Sequence, residues 1–185
     1  RFGGFSDKSV LPIRWGFKSN QSDRINVTID DGSPAFHIIE PSTGHKTLTS
    51  FGGFVLDGNN NDNEAIRLTD ALDFHLEDIW LQNFDGSSTP SADGVVVLDG
   101  SCFSFELNVR FATGNGNARV VALDNTTGDG PPGNGHIHLM IDGAHQHSID
   151  ANGQRAPTIT VTGHTEKAQG HVLNLDDGEW QIEGG

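Results

Sequence analysis

The chain has 185 residues, which is enough for one domain with a substantial apolar core. Its 25 Asp and Glu against 11 Lys and Arg give a formal net charge of −14, which argues against nucleic acid and anionic membranes as partners because like charges repel. The single Cys102 allows no internal disulfide, and no apolar stretch is long enough to predict a membrane-spanning helix. Only four of the basic residues are Lys, a composition that resembles proteins of salt-loving organisms.

Short runs of alternating apolar residues follow one another along the chain at fairly regular intervals. Gly, Asn and Asp separate these runs, so the sequence predicts an all-β chain rich in turns. The predicted strands are Ile13–Phe17, Ile25–Ile29, Phe36–Ile39, Phe54–Leu56, Ile66–Leu68, Ile79–Leu81, Val95–Leu98, Leu107–Phe111, Arg119–Leu123, Ile137–Ile141, Ile159–Val161, His171–Leu175 and Trp180–Ile182.

An apolar residue followed by Asp and Gly recurs at the ends of several of these runs, as in "VLDG" at 55–58 and 97–100 and "MIDG" at 140–143. Asp-Gly accepts left-handed backbone angles, so it ends strands and turns corners. We expect Asp57, Asp99 and Asp142 to bond to their own turns. Strand, corner and strand repeated without helices predict a parallel β-helix, with a β-sandwich or jelly roll as the alternative.

The stretch 51–86, "FGGFVLDGNNNDNEAIRLTDALDFHLEDIWLQNFDG", and its continuation "GVVVLDGSCFSFELNVRF" at 94–111 resemble the right-handed parallel β-helix of pectate-lyase-like proteins. These include polysaccharide lyases and hydrolases and viral tailspikes. With coils of about 24 residues, 13–185 would form roughly seven coils. We expect 1–185 to be a single β-helix domain within a longer chain or assembly. Whether each coil has two or three strands stays open.

Alternation predicts which side chains of "DIWLQNF" point outward. Ile79 and Leu81 are expected inside, which places Asp78, Trp80 and Gln82 outside. Trp80 is either a rim aromatic at an interface or a platform on which a sugar ring stacks. The other two tryptophans, Trp15 and Trp180, are expected in the core.

Arg67 and Arg110 are also predicted to point outward, where they would either balance the acidic surface or clamp a carboxylate-bearing sugar. A glycosidase needs two carboxyl groups at a set separation, and a lyase needs a base beside an activated carbon. Asp78 is the single weak candidate for a catalytic group. The Gly-His-Gly and Arg-x-Lys signatures of the β-helix polygalacturonases do not occur in the sequence, and no close, outward-facing pair of Asp residues can be placed.

Four histidines are concentrated in "GHIHLMIDGAHQHS" at 135–148. His136 and His138 point the same way on a strand, so they are candidate metal ligands if His164 on the next coil joins them. The spacing from His138 to His164 equals that from His145 to His171 and is close to one coil, so it also fits a structural ladder of stacked histidines. A catalytic or pH-sensing cluster is the third interpretation.

Together these features predict a non-catalytic appendage of a virion or cell surface, of the tailspike, fibre or capsid-protrusion type. It would adhere to surface glycans, stay extracellular or on the virion, and form a homo-oligomer or part of a larger assembly. No cofactor is required, although a divalent cation is compatible with the histidines. The alternative is a secreted polysaccharide lyase or glycoside hydrolase of the pectate-lyase-like group.

Overall fold

The structure is a computed structural model that describes residues 25–29, 34–39, 49–61, 64–84, 94–112, 118–126, 130–151, 158–175 and 180–183. Within these ranges the chain forms strands and no helix, and so no helix that could cross a membrane. The strands are β1 (Ile25–Thr28), β2 (Phe36–Ile39), β3 (Thr49–Gly52), β4 (Phe54–Asn61), β5 (Ile66–Thr69), β6 (Phe74–Phe84), β7 (Val96–Asp99), β8 (Phe103–Phe111), β9 (Arg119–Asp124), β10 (Gly133–Ile141), β11 (His147–Asp150), β12 (Ile159–Thr165), β13 (Leu173–Asn174) and β14 (Trp180–Glu183).

These strands form two parallel sheets. Sheet A has the order β1-β4-β6-β8-β10-β12-β14, with β3 also paired to β6, and sheet B has the order β13-β11-β9-β7-β5-β2. The chain therefore passes from one sheet to the other and returns one strand further along. This arrangement is a parallel β-helix, as predicted, and the β-sandwich alternative is wrong because every pairing among the described strands is parallel.

The coils are not of equal length. Ile159 is the register partner of Trp180 between β12 and β14, whereas His75 is the partner of Glu106 between β6 and β8, which is a much longer interval of sequence. The described residues form fewer complete coils than the roughly seven that were predicted, and that count is therefore wrong.

Inward-pointing side chains of the two sheets form a continuous apolar core. In sheet A one column of register partners runs through Leu76, Leu107, Ile137 and Val161, which are between 0% and 6% exposed. Cys102 is also buried in this core, and burial raises the pKa of its thiol to about 12. A thiol in such a position stays protonated and unreactive at neutral pH.

Twelve of the predicted strands occur, with longer bounds in most cases, whereas β3 and β11 were not predicted. The predicted strand Ile13–Phe17, with Trp15, lies outside the described residues. Trp180 is half-buried and packs against the core, but its strand partner Ile182 is 54% exposed because β14 is the last described strand of sheet A.

Candidate functional site

The outward face of sheet A carries rows of polar side chains that run across the strands. One row of register partners is His75 on β6, Glu106 on β8, His136 on β10 and Thr160 on β12. Parallel strands in register bring such partners to about 4.8 Å from one another. The row therefore concentrates hydrogen-bonding groups that are far apart in the sequence.

An open groove of about 400 Å³ lies along this row. Most of its lining residues are polar. Its residues are His75, Ser104, Phe105, Glu106, Asn134, Gly135, His136, Thr158 and Thr160.

One wall of the groove is formed by Ser104, Asn134 and Thr158, which have left-handed backbone angles, and Asp73 continues this column beyond the described lining. Asp73, Ser104, Asn134 and Thr158 have φ values of 51°, 56°, 52° and 38°. Each stands two positions before a member of the row, so the four lie at the same corner of successive coils. Asp, Asn and Ser tolerate this conformation because their short polar side chains bond locally, whereas it strains the β-branched Thr158.

The base of the groove depends on a glycine. Gly135 lies beneath the ring of Phe105, and a Cβ atom at this position would collide with that ring. The Phe105 ring is itself stacked on Phe74, with centroids 5.5 Å apart and planes 10° apart. Glycine at position 135 thus allows the aromatic stack to extend under the groove.

The ionisable groups of the groove are two histidines and one carboxylate. His75 Nδ1 lies 3.0 Å from Glu106 Oε2, and both side chains are about half exposed (42% and 55%). No Lys or Arg belongs to the described lining. The charge of the groove is therefore set by the protonation of its histidines.

His136 and His138 share one hydroxyl group. His136 Nε2 and His138 Nδ1 each lie 2.9 Å from Thr162 Oγ1. A hydroxyl has one proton to donate and two acceptor lone pairs, so at least one of the two imidazoles is a donor here.

The predicted metal set of His136, His138 and His164 is not brought together. The register partner of His164 is Met140, and its Nε2 lies 3.1 Å from Glu166 Oε1. The reason is coil length: the coil from β10 to β12 is shorter than the spacing between His138 and His164, so Thr162 stands opposite His138. The described ranges contain no group of three or more His, Cys, Asp or Glu placed to hold a metal ion.

The predicted stack of His145 on His171 is also wrong. His147 stacks on His171, with ring centroids 5.6 Å apart and planes 8° apart. His145 is fully buried, with Nδ1 2.8 Å from the carbonyl oxygen of Gly143 and Nε2 2.7 Å from Ser148 Oγ. Burial lowers the pKa of His145 below its ordinary value.

Trp80 and Arg110 meet in a neighbouring row of the same face. The Arg110 guanidinium carbon lies 4.4 Å from the centroid of the Trp80 ring, and its Nη2 lies 2.6 Å from Asp142 Oδ2. Trp80 points outward as predicted, and the Arg110 guanidinium partly covers its ring. Asp142 bonds across coils to Arg110.

Gln82 lies near the end of β6 and binds Asp57. Its Nε2 donates to Asp57 Oδ2 at 2.8 Å, while Asp57 Oδ1 accepts from the backbone N–H of Asn59 at 2.9 Å. Burial raises the pKa of Asp57, but the hydrogen bonds from Gln82, Asn59 and Asn83 outweigh it and hold the pKa below its ordinary value. The prediction that Asp57 bonds to its own turn is confirmed.

Of the predicted site residues only His136 belongs to the described lining of the groove, and Arg67 and Asp78 also lie apart from it. Arg67 belongs to sheet B, where it binds Glu64 and donates from Nη1 to Asp99 Oδ2 at 2.9 Å. Asp78 lies in a bulge of β6 and has a φ of 56°. On the next coil the register partner of nearby Trp80 is Arg110, so no second carboxylate stands at that position.

Sequence reasoning did not single out His75, Glu106 or Thr160. Alternation within "FHLEDIWL" and "FELNVRF" places His75 and Glu106 outward, but their convergence depends on a long coil whose register the sequence does not display. No family model, no curated protein and no solved structure matches this chain.

Proposed function

We propose that this β-helix binds a glycan along the outward face of sheet A without cleaving it. The supporting observation is the groove, in which His75, Glu106, His136 and Thr160 line up across four coils. Sugar hydroxyl groups need such convergent donors and acceptors. Phe105, which is 4% exposed, and Gly135 add a small apolar surface to this lining.

The pairing of the carboxylates with other side chains favours binding of a glycan over its hydrolysis. Glu106 lies against His75, and Asp142 lies against Arg110. A glycosidase needs one carboxyl group as proton donor and a second as base or nucleophile. Carboxylates that are each held by a cation or an imidazole serve instead as fixed acceptors for sugar hydroxyls.

The proposed setting is an extracellular or virion surface, where the chain acts as part of a homo-oligomeric or larger appendage. A formal charge of −14 with four Lys supports a saline medium. A stiff stack of parallel strands supports a rod that presents the groove at a distance. Binding requires no cofactor in this proposal.

A polysaccharide lyase is the second candidate, and the His75–Glu106 contact favours it. An imidazole held at 3.0 Å by a carboxylate is a general-base arrangement. Such an enzyme would abstract the proton beside the sugar carboxylate, and breakage of the glycosidic bond would leave a double bond in the product.

The test is a panel of neutral and acidic oligosaccharides, with calorimetry for binding and with assays for new reducing ends and unsaturated products. We expect binding without products, and a loss of about tenfold in affinity when His136→Ala removes one groove donor. His171→Ala is the matched control, because His171 lies outside the groove. Product formation that disappears in Glu106→Gln would establish the lyase instead, and a panel without any ligand would overturn both candidates.

A further inference from the structure

We propose that acidity gates this groove, so that it captures anionic groups of a glycan once its histidines are protonated. This inference rests on the proposed glycan binding and adds the charge class of the ligand and the regulation of the site. The observation that carries it is the composition of the lining, in which the ionisable groups are His75, Glu106 and His136.

The net charge of this lining changes sign with two protons. With both histidines neutral, Glu106 leaves the groove with one negative charge, in a chain whose formal charge is −14. A carboxylate or sulfate group is then repelled. With both histidines protonated, the lining has one net positive charge. An imidazole ordinarily gains its proton between about pH 7 and pH 5.

Charged groups on the surrounding strands shift the net charge around the groove, but they leave the difference of two charges between its two states. Beside His75, β3 contributes the uncharged Ser50 as its register partner. Arg110 on β8 is held by Asp142, and His164 on β12 is held by Glu166. Further titratable groups among the described residues are Asp73 just before β6, Glu77 and Asp78 on β6, His138 on β10 and Glu183 on β14, and the carboxylates among them make the surroundings of the groove acidic.

The hydrogen bonds of the groove accept the protonated state. Protonated His75 still donates to Glu106 across 3.0 Å. Protonated His136 and His138 both donate to Thr162 Oγ1, which has two lone pairs for the two donors. The two positive rings repel each other, and a bound anion offsets this repulsion. Proton uptake and anion capture therefore favour each other.

The experiment compares tetramers of β-linked glucuronic acid with their carboxyl-reduced, neutral counterparts at about pH 5.5 and about pH 8. Affinity for the acidic tetramer is expected to rise about tenfold at the lower pH, while affinity for the neutral tetramer changes less than about twofold. His136→Gln is expected to flatten the pH dependence, because the lining then stays at or below neutrality. Glu106→Gln is expected to bind the acidic tetramer at both pH values.

His171→Gln is the matched control and keeps the pH dependence of the original protein, since His171 lies outside the groove. Equal pH dependence for the acidic and neutral tetramers would overturn the gating while leaving glycan binding intact. Affinity for the acidic tetramer that is highest at the higher pH would also overturn the gating. If neither tetramer binds at either pH, whether to the original protein or to Glu106→Gln, the gating and the proposed function are overturned together.

Discussion

Sheets A and B are both parallel, yet their outward faces differ. On β8 of sheet A, buried and outward-facing residues alternate, and Glu106 and Asn108 are exposed. On β7 and β9 of sheet B every residue is buried. Val97 and its partner Ala122 are fully buried although they lie outside the central core cluster.

The difference explains where a ligand has access. A parallel sheet covered on both faces reads as a continuous apolar run, as in "GVVVLDG" and "RVVAL". A sheet with one solvated face alternates, as in "FELNVRF". Sheet A therefore has outward positions at which polar groups can converge on a ligand, while the outward positions of β7 and β9 in sheet B contribute to stability.

The strongest test of this contrast places a carboxylate on the outward row of each sheet. Val97→Asp buries a carboxylate opposite Arg67, which is already paired, and is expected to lower the free energy of unfolding by about 2 kcal/mol or more. Asn108→Asp on the exposed row of sheet A is the matched control and is expected to change it by less than about 0.5 kcal/mol. Urea denaturation measures both, and equal losses would show that the two faces do not differ.

A second test concerns the base of the groove. Gly135→Ala places a methyl group against the Phe105 ring, which cannot move freely because it is stacked on Phe74. We expect a loss of about 1–3 kcal/mol in the free energy of unfolding, together with weaker glycan binding. Gly135→Ala is expected to cost less in a Phe105→Leu background than in the original protein, so an equal loss in both backgrounds would contradict this account.

A third test uses pH. Because burial lowers the pKa of His145 in the folded protein, the unfolded chain binds a proton more readily. This contribution to stability is fully present above the ordinary histidine pKa of 6.5 and is lost as the pH falls below it. Denaturant midpoints in His145→Gln are therefore expected to fall less between about pH 7.5 and about pH 5.5 than in the original protein. A variant with an unchanged pH slope would remove His145 as the cause.

The smallest effect is expected at the exposed cluster of Trp80, Arg110 and Asp142. Arg110→Ala removes a cation–π contact and an ion pair whose side chains are partly exposed (42% and 39%). We expect a stability loss of about 1 kcal/mol or less, since solvent screens both interactions. Greater quenching of Trp80 fluorescence by acrylamide should accompany it, with Trp80→Phe as the control for the other tryptophans.

Much of the fold could be predicted because alternation and Asp-Gly corners are local signals. Phe36–Ile39 was predicted to the residue, and Ile79 and Leu81 are fully buried as expected. The alternation also gives the outward direction of His136 and His138, which both reach Thr162. By contrast, β3 and β11 were missed, because "TSFG" and "HSID" contain too few apolar residues to stand out.

The candidate site was mostly beyond prediction, because it depends on register between coils of unequal length. His164 was expected opposite His138, but a small shift in register places Thr162 there. In the same way Ala168, and not His171, stands opposite His145. The sequence by itself determined a β-helix, its inward-pointing residues and its acidic surface. Only the tertiary structure decided that His75, Glu106 and His136 line one groove, because the lengths of the corners set the register and no local pattern records that length.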